Sequence, residues 1–168
     1  MPSKQAPSFA DGDYQAGRVY MSQQEILYPG MTWEQAIAQT PDFTTPEQAT
    51  AYAKDVQSKV GTLWPKFAKV PLRVRWDRPS DGLTLRTAGA TVPTYPFEMM
   101  LTNSGWGRSK DTVLHELAHV VTLAEDMADR HGPNFAKVLL ILTKNFGKAG
   151  VYQKLANRFS ADGVDIAA

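Results

Sequence analysis

The segment from Lys110 to Ala124 constrains this chain more than any other stretch. Val113, Leu114, Leu117, Val120 and Val121 fall together on one side of a 3.6-residue period. His115 and His119 fall on the opposite side. Residues four apart on a helix sit about one turn apart on one face. The segment is therefore predicted to be a helix, capped by Ser109 or Asp111, that buries its apolar side and turns two imidazoles toward a cleft. The bland alternative is a surface helix with two ordinary polar-face histidines.

The run His115-Glu116-Leu117-Ala118-His119 is an HExxH pattern, whose two imidazoles can grip one metal ion. Glu116 is offset from His115 by about 100° around the axis, beside such an ion and within reach of a water. With only three histidines and six glutamates in 168 residues, the pattern arises by accident roughly twice in a thousand such chains. A catalytic zinc usually takes three protein ligands and a water. The third histidine, His131, follows His119 after eleven residues, with Gly132-Pro133 opening a new helix behind it. Glu125, Asp126 and Asp129 are rival third ligands, because carboxylates also bind zinc. Asp126 or Asp129 could instead orient an imidazole. The metzincin variant is excluded, since Thr122 and Glu125 stand where it needs glycine and histidine.

The chain has no cysteine, which excludes disulfides, thiolate zinc sites, iron–sulfur clusters and cysteine nucleophiles. Its 43% hydrophobic and 21% charged residues are those of a globular protein. The length fits a single domain over residues 1–168, with 1–18 and 160–168 expected as flexible tails. No apolar run approaches the roughly 18–20 residues of a membrane span, and the first residues lack the apolar core of a secretory signal. A soluble, cytoplasmic protein is expected. A net charge of +1 gives no long-range attraction to nucleic acid or anionic lipid. Arg130, Lys137, Lys144, Lys148, Lys154 and Arg158 form a basic run without an acid, read as a solvated face rather than a nucleic-acid surface.

The remaining elements follow from caps and periodicity. Val19–Tyr28 is a short strand or helix closed by Pro29-Gly30. Thr32–Gln39 is a short helix with Thr32 and Gln35 as a capping box. Thr45–Trp64 is a longer helix, with Thr45 as cap, Pro46 at its first position and Gln48 completing the box. Its stripe is Ala49, Tyr52, Ala53, Val56, Val60, Leu63 and Trp64. Leu72, Val74 and Trp76 alternate with Arg73 and Arg75 as a half-buried strand. After turn chemistry at Arg78–Gly82, Leu83 and Leu85 resume the alternation, and strands are expected at Ala90–Val92 and Phe97–Thr102. Pro93 and Pro96 interrupt the ladder. A loop at Asn103–Gly107 leads to the HExxH helix. A helix from Pro133 to Gly147 and a short one at Val151–Phe159 follow it.

Val113-Leu114-His115-Glu116-Leu117-Ala118-His119, followed by His131-Gly132-Pro133-Asn134-Phe135, resembles the SprT-like zinc metallopeptidases, which carry HExxH, a short spacer and H-G-P-x-F. It is more similar still to a family of small bacterial and phage metallohydrolases of comparable length. The motif likeness covers about residues 112–142, and the order of elements extends it to 45–146. The resemblance implies a zincin-like α+β domain: an N-terminal helix, a small mostly antiparallel sheet and a metal-binding helix pair. It implies Zn2+ held by His115, His119 and His131, with Glu116 as general base, in a metallopeptidase acting on a peptide or protein. The cysteine-rich ribbon and long DNA-binding extension of SprT proteins are absent, so cleavage of DNA-crosslinked proteins is not implied. Two other readings stand beside it: a zinc hydrolase of a small amide or ester, and a non-catalytic module closed by Asp126 or Asp129 as fourth ligand. For a peptidase, Tyr95, Arg108 and Tyr152 are candidate oxyanion donors. The strand around Phe97–Leu101 is a candidate edge for an extended peptide.

Overall fold

Capping side chains and prolines set the element ends in the computed structural model, which describes residues 13–77, 89–92 and 97–168. In chain order these are α1 (Ala16–Leu27), α2 (Trp33–Ile37), α3 (Pro46–Val60), a 3-10 turn (Phe67–Lys69), β1 (Leu72–Asp77), β2 (Gly89–Val92), β3 (Phe97–Thr102), α4 (Lys110–Ala124), α5 (Pro133–Phe146) and α6 (Val151–Ala161). The class is α+β, with helices and a small sheet, as the sequence implies. No helix among the described residues is long and apolar enough to cross a membrane. The turn at Arg78–Gly82, Leu83, Leu85, Pro93, Tyr95 and Pro96 lie outside the described residues.

Local chemistry explains most of these ends. Thr32 and Gln35 form the expected reciprocal box, with Gln35 N donating to Thr32 Oγ1 at 3.2 Å and Thr32 N to Gln35 Oε1 at 2.9 Å. At α3, Thr45 Oγ1 accepts from Gln48 N, but the Gln48 side chain passes Thr45 and takes the Thr44 N–H and hydroxyl, each at 2.9 Å. The box therefore closes one residue early. α3 also stops at Val60 instead of Trp64, so the stripe breaks: Trp64 turns inward while Leu63 is 60% exposed. The segment Val19–Tyr28, open between strand and helix, is helical within α1.

The sheet corrects the expectation of a mostly antiparallel arrangement. Its order is β1-β3-β2; the longer ladder, six residues from Leu72↔Phe97 to Asp77↔Thr102, is parallel. Only the shorter β2–β3 pairing is antiparallel. Alternation reports which face a residue occupies and is silent on strand direction, so the error was invisible in the pattern. Leu72, Val74, Met99 and Leu101 are buried, while Arg73 and Arg75 pair with Glu98 on the other face. α3 lies against β1, and α4 against β2 and β3. β3 has a strand on each side, so it cannot serve as the peptide-binding edge proposed for Phe97–Leu101.

The apolar face of α4 anchors the core. Val113, Leu114, Leu117, Val120 and Val121 are buried and join Phe135, Leu139 and Leu142 of α5 and Phe159 of α6. α4 is held at its start by Ser109, whose Oγ accepts from Thr112 N, and by Asp42, whose carboxylate accepts from Lys110 N.

Neither described end is loose. Gln15, fully buried, exchanges two hydrogen bonds with the Asp165 backbone. Tyr14 donates to the Asp165 carboxylate, Arg18 to Gly163 O, and Ser22 to Asp162. Val164 is buried and Ala167 N bonds to Pro133 O. The tail at 160–168, expected to be flexible, is thus a strap across α1 and α5. Polar composition hid this, because the strap docks through backbone groups and α1 side chains.

Gly105 fixes the approach of α2 to the loop before α4. Its N–H donates to Ile37 O at 2.8 Å, and a Cβ there would overlap the Gln39 carbonyl. Gly105→Ala is expected to lower unfolding free energy by about 3 kcal/mol, the cost of overpacking against backbone that cannot yield. Urea denaturation checks this; an unchanged midpoint would show the contact to be absent.

Candidate metal centre

The loop between α4 and α5 reverses the chain so that His131 returns to His115 and His119. α4 ends in a Schellman arrangement: Met127 N bonds to Thr122 O, Asp126 N to Leu123 O, and Asp126 takes the left-handed conformation at φ 57°. Arg130 is also left-handed, at φ 60°. Asp129 then caps α5, accepting from Asn134 N at 2.7 Å and Phe135 N at 3.1 Å. A Cβ on Gly132 would lie 2.7 Å from the Asp129 carboxyl carbon, so glycine is what lets this cap close over the start of α5.

The three histidines meet. His131 Nε2 is 3.2 Å from His115 Nε2 and 3.1 Å from His119 Nε2. The group can hold a metal ion, and no other convergent group of three ligating side chains occurs among the described residues. Phe135, fully buried, packs against all three rings, with centroids 4.9, 4.4 and 4.8 Å from those of His115, His119 and His131. It forms an apolar floor beneath the rings. The outer nitrogens of two rings face acceptors: His131 Nδ1 meets Asp13 Oδ2 at 2.7 Å, and His115 Nδ1 meets Gln23 Oε1 at 2.6 Å. With their protons drawn outward to Nδ1, these rings turn bare Nε2 lone pairs toward one point. Lone pairs that close repel unless a cation lies between them.

The other sequence-nominated residues separate clearly. Glu116 is buried at 3% exposure, next to His115 on α4, and is engaged with its surroundings. Glu125 accepts from Phe67 N, Asp126 pairs with Lys66, and Asp129 caps α5, so the three rival carboxylates all work elsewhere. Neither Asp126 nor Asp129 orients an imidazole. Asp13 and Gln23 do, and no motif marked them, because they are remote in sequence. Arg108 stacks over Trp76, and Tyr152 receives Lys144 over its ring, so neither candidate oxyanion donor is seen at the histidines. The basic run is largely answered: Lys148 lies near Asp42 and Asp111, Arg158 pairs with Asp162, and Lys137 bonds to Ala168 O.

Burial, followed by the neighbouring imidazoles, pushes His115 well below the ordinary histidine pKa. Burial and then His131 bring His119 down to about 3. Both rings are therefore neutral, the form that binds metal, at physiological pH. The linkage has a definite sign. Above about pH 6.5 these histidines are neutral in folded and unfolded chains alike, and their contribution is complete. As pH falls below that value the unfolded chain takes up protons that the folded one refuses, and stability declines toward the folded pKa. The metal-free protein is expected to lose up to about 1.4 kcal/mol per pH unit per histidine in this range. Urea midpoints between pH 7.5 and 4.5 measure the slope, which should be shallower in His119→Gln.

No family model matches the chain, and neither a curated protein nor a solved structure is significantly similar to it.

Proposed function

We propose that the protein is a zinc-dependent hydrolase, with a peptide or protein as its substrate. The observation that carries this reading is the convergence of three Nε2 atoms. Tetrahedral zinc–nitrogen bonds of about 2.0–2.1 Å set neighbouring nitrogens roughly 3.3 Å apart. The separations of 3.2 and 3.1 Å agree with that spacing. The HExxH and HGPxF residues, and with them the likeness to SprT-like and small phage metallohydrolases of zincin-like fold, support it further. A bound zinc ion supplies Lewis acidity, which acidifies water and polarises a carbonyl. His115 and His119 would hold it from one face of α4, and His131 from the loop just before α5. Glu116 takes the proton of the attacking water and passes it to the leaving amine.

A structural module requires a closed site with four protein ligands. The carboxylates suited to that place, Asp126 and Asp129, are committed to Lys66 and to the α5 cap. This favours an open coordination position and hence hydrolysis. The test is a peptide library incubated with the zinc-loaded chain, beside small amide and ester substrates. Cleavage of peptides that stops with a chelator and returns with zinc is the expected result. Turnover of the small substrates alone would move the reading to a small-molecule hydrolase, and no turnover of either class would overturn it.

A further inference from the structure

The candidate ligands belong to α4 and to the loop before α5, but the groups behind them come from the other end of the chain. Asp13 lies just before α1 and Gln23 within it. The Asp13 carboxylate takes two hydrogens from one residue: the His131 ring Nδ1–H at 2.7 Å and the His131 backbone N–H at 3.2 Å. Both partners are enclosed, with side chains 7% and 14% exposed. Gln23 Oε1 accepts from His115 Nδ1–H at 2.6 Å. Each acceptor dictates which ring nitrogen carries the proton, and so which offers its lone pair. The backbone contact also sets the direction from which the His131 ring enters, immediately after the left-handed Arg130.

We infer that Asp13 and Gln23 are positioning residues that fix the tautomer and aim of His131 and His115 toward the metal. The inference rests on the zinc reading above. The two are not equivalent. A carboxylate such as Asp13 behind a ligating imidazole strengthens its bond to a divalent ion and offsets part of the ion's charge. Gln23 orients its ring without charge. Asp13→Ala should therefore weaken zinc binding by about 10–100-fold, the usual cost of losing an acceptor behind a ligating imidazole. Asp13→Asn should fall between it and the wild type. Gln23→Met removes the acceptor and should weaken binding, whereas Gln23→Glu keeps an acceptor, adds the charge that Asp13 already supplies to His131, and should bind more tightly than the wild type.

The experiment is zinc titration of the full chain against a chromophoric chelator, with far-ultraviolet circular dichroism to verify folding. The expected order of affinity is Gln23→Glu, then wild type, then Asp13→Asn, then Asp13→Ala, with Gln23→Met below the wild type. A merely structural role would lower the melting temperature and leave zinc affinity the same in all folded variants, and that result overturns the inference. If a variant does not fold, the zinc-loaded wild type decides. Histidine ring resonances should report zinc on Nε2 and hydrogen on Nδ1 of His115 and His131. Zinc on Nδ1 of either ring overturns the inference while sparing the metal reading. A wild type that takes up no zinc overturns both.

Discussion

Glu116→Gln is expected to keep a full equivalent of zinc and to lose hydrolysis by about 10²–10⁴-fold, the usual contribution of a positioned general base. The amide matches the carboxylate in size, and Glu116 is not among the converging ligands, so the histidines should be undisturbed. What disappears is the ability to accept a proton. The residue is almost fully buried, so a modest change in melting temperature is expected to accompany the substitution without bearing on the chemistry. The measurement pairs metal analysis with initial rates on the best peptide from the library. Wild-type rates in the variant would remove Glu116 from the reaction. Loss of zinc together with activity would make its role one of supporting the site.

His131→Ala should have the larger effect on the metal. It removes the imidazole that approaches both others, leaving two ligands on one helix face. It also strands the Asp13 carboxylate, which is 7% exposed and would lose its ring partner. Zinc affinity should fall by more than the roughly 10–100-fold expected when only an orienting group is lost. Stoichiometric zinc retained in the folded variant would show that His131 is not a ligand, and one of the rejected carboxylates would have to be reconsidered.

The sequence made the centre legible because its key residues are local. His115 and His119 share one helix, and His131 precedes a proline-started helix within a single short connection, so spacing alone brings them near one another. Ser109 as the cap of α4, Pro133 at the start of α5 and Phe97–Thr102 as a strand could be read for the same reason. What escaped were relations between distant segments. Parallel pairing of β1 with β3 depends on where β2 is placed, which no alternation encodes. Asp129 looked like a ligand because it is an acid near the site; its work as a cap depends on the left-handed turn at Arg130 and on Gly132. The end of α4 at Ala124 was legible, but Asp126 occupies a position where glycine is the usual signal, so the left-handed turn that closes the helix carried no marker. Asp13 and Gln23 sit in a stretch without a motif and gain meaning only once α1 lies beside His115 and His131.

The strap formed by residues 160–168 ties the candidate centre to a segment that contributes no ligand. Every imidazole of the centre lies before α6, but the stretch whose Asp162, Gly163 and Asp165 fasten α1 in place lies beyond it. Under the zinc reading, the aim of the rings depends on residues 162–165 as well, because these hold α1 and with it Asp13 and Gln23 in place. Removing residues 162–168 should, on that reading, weaken metal binding without touching a single ligand.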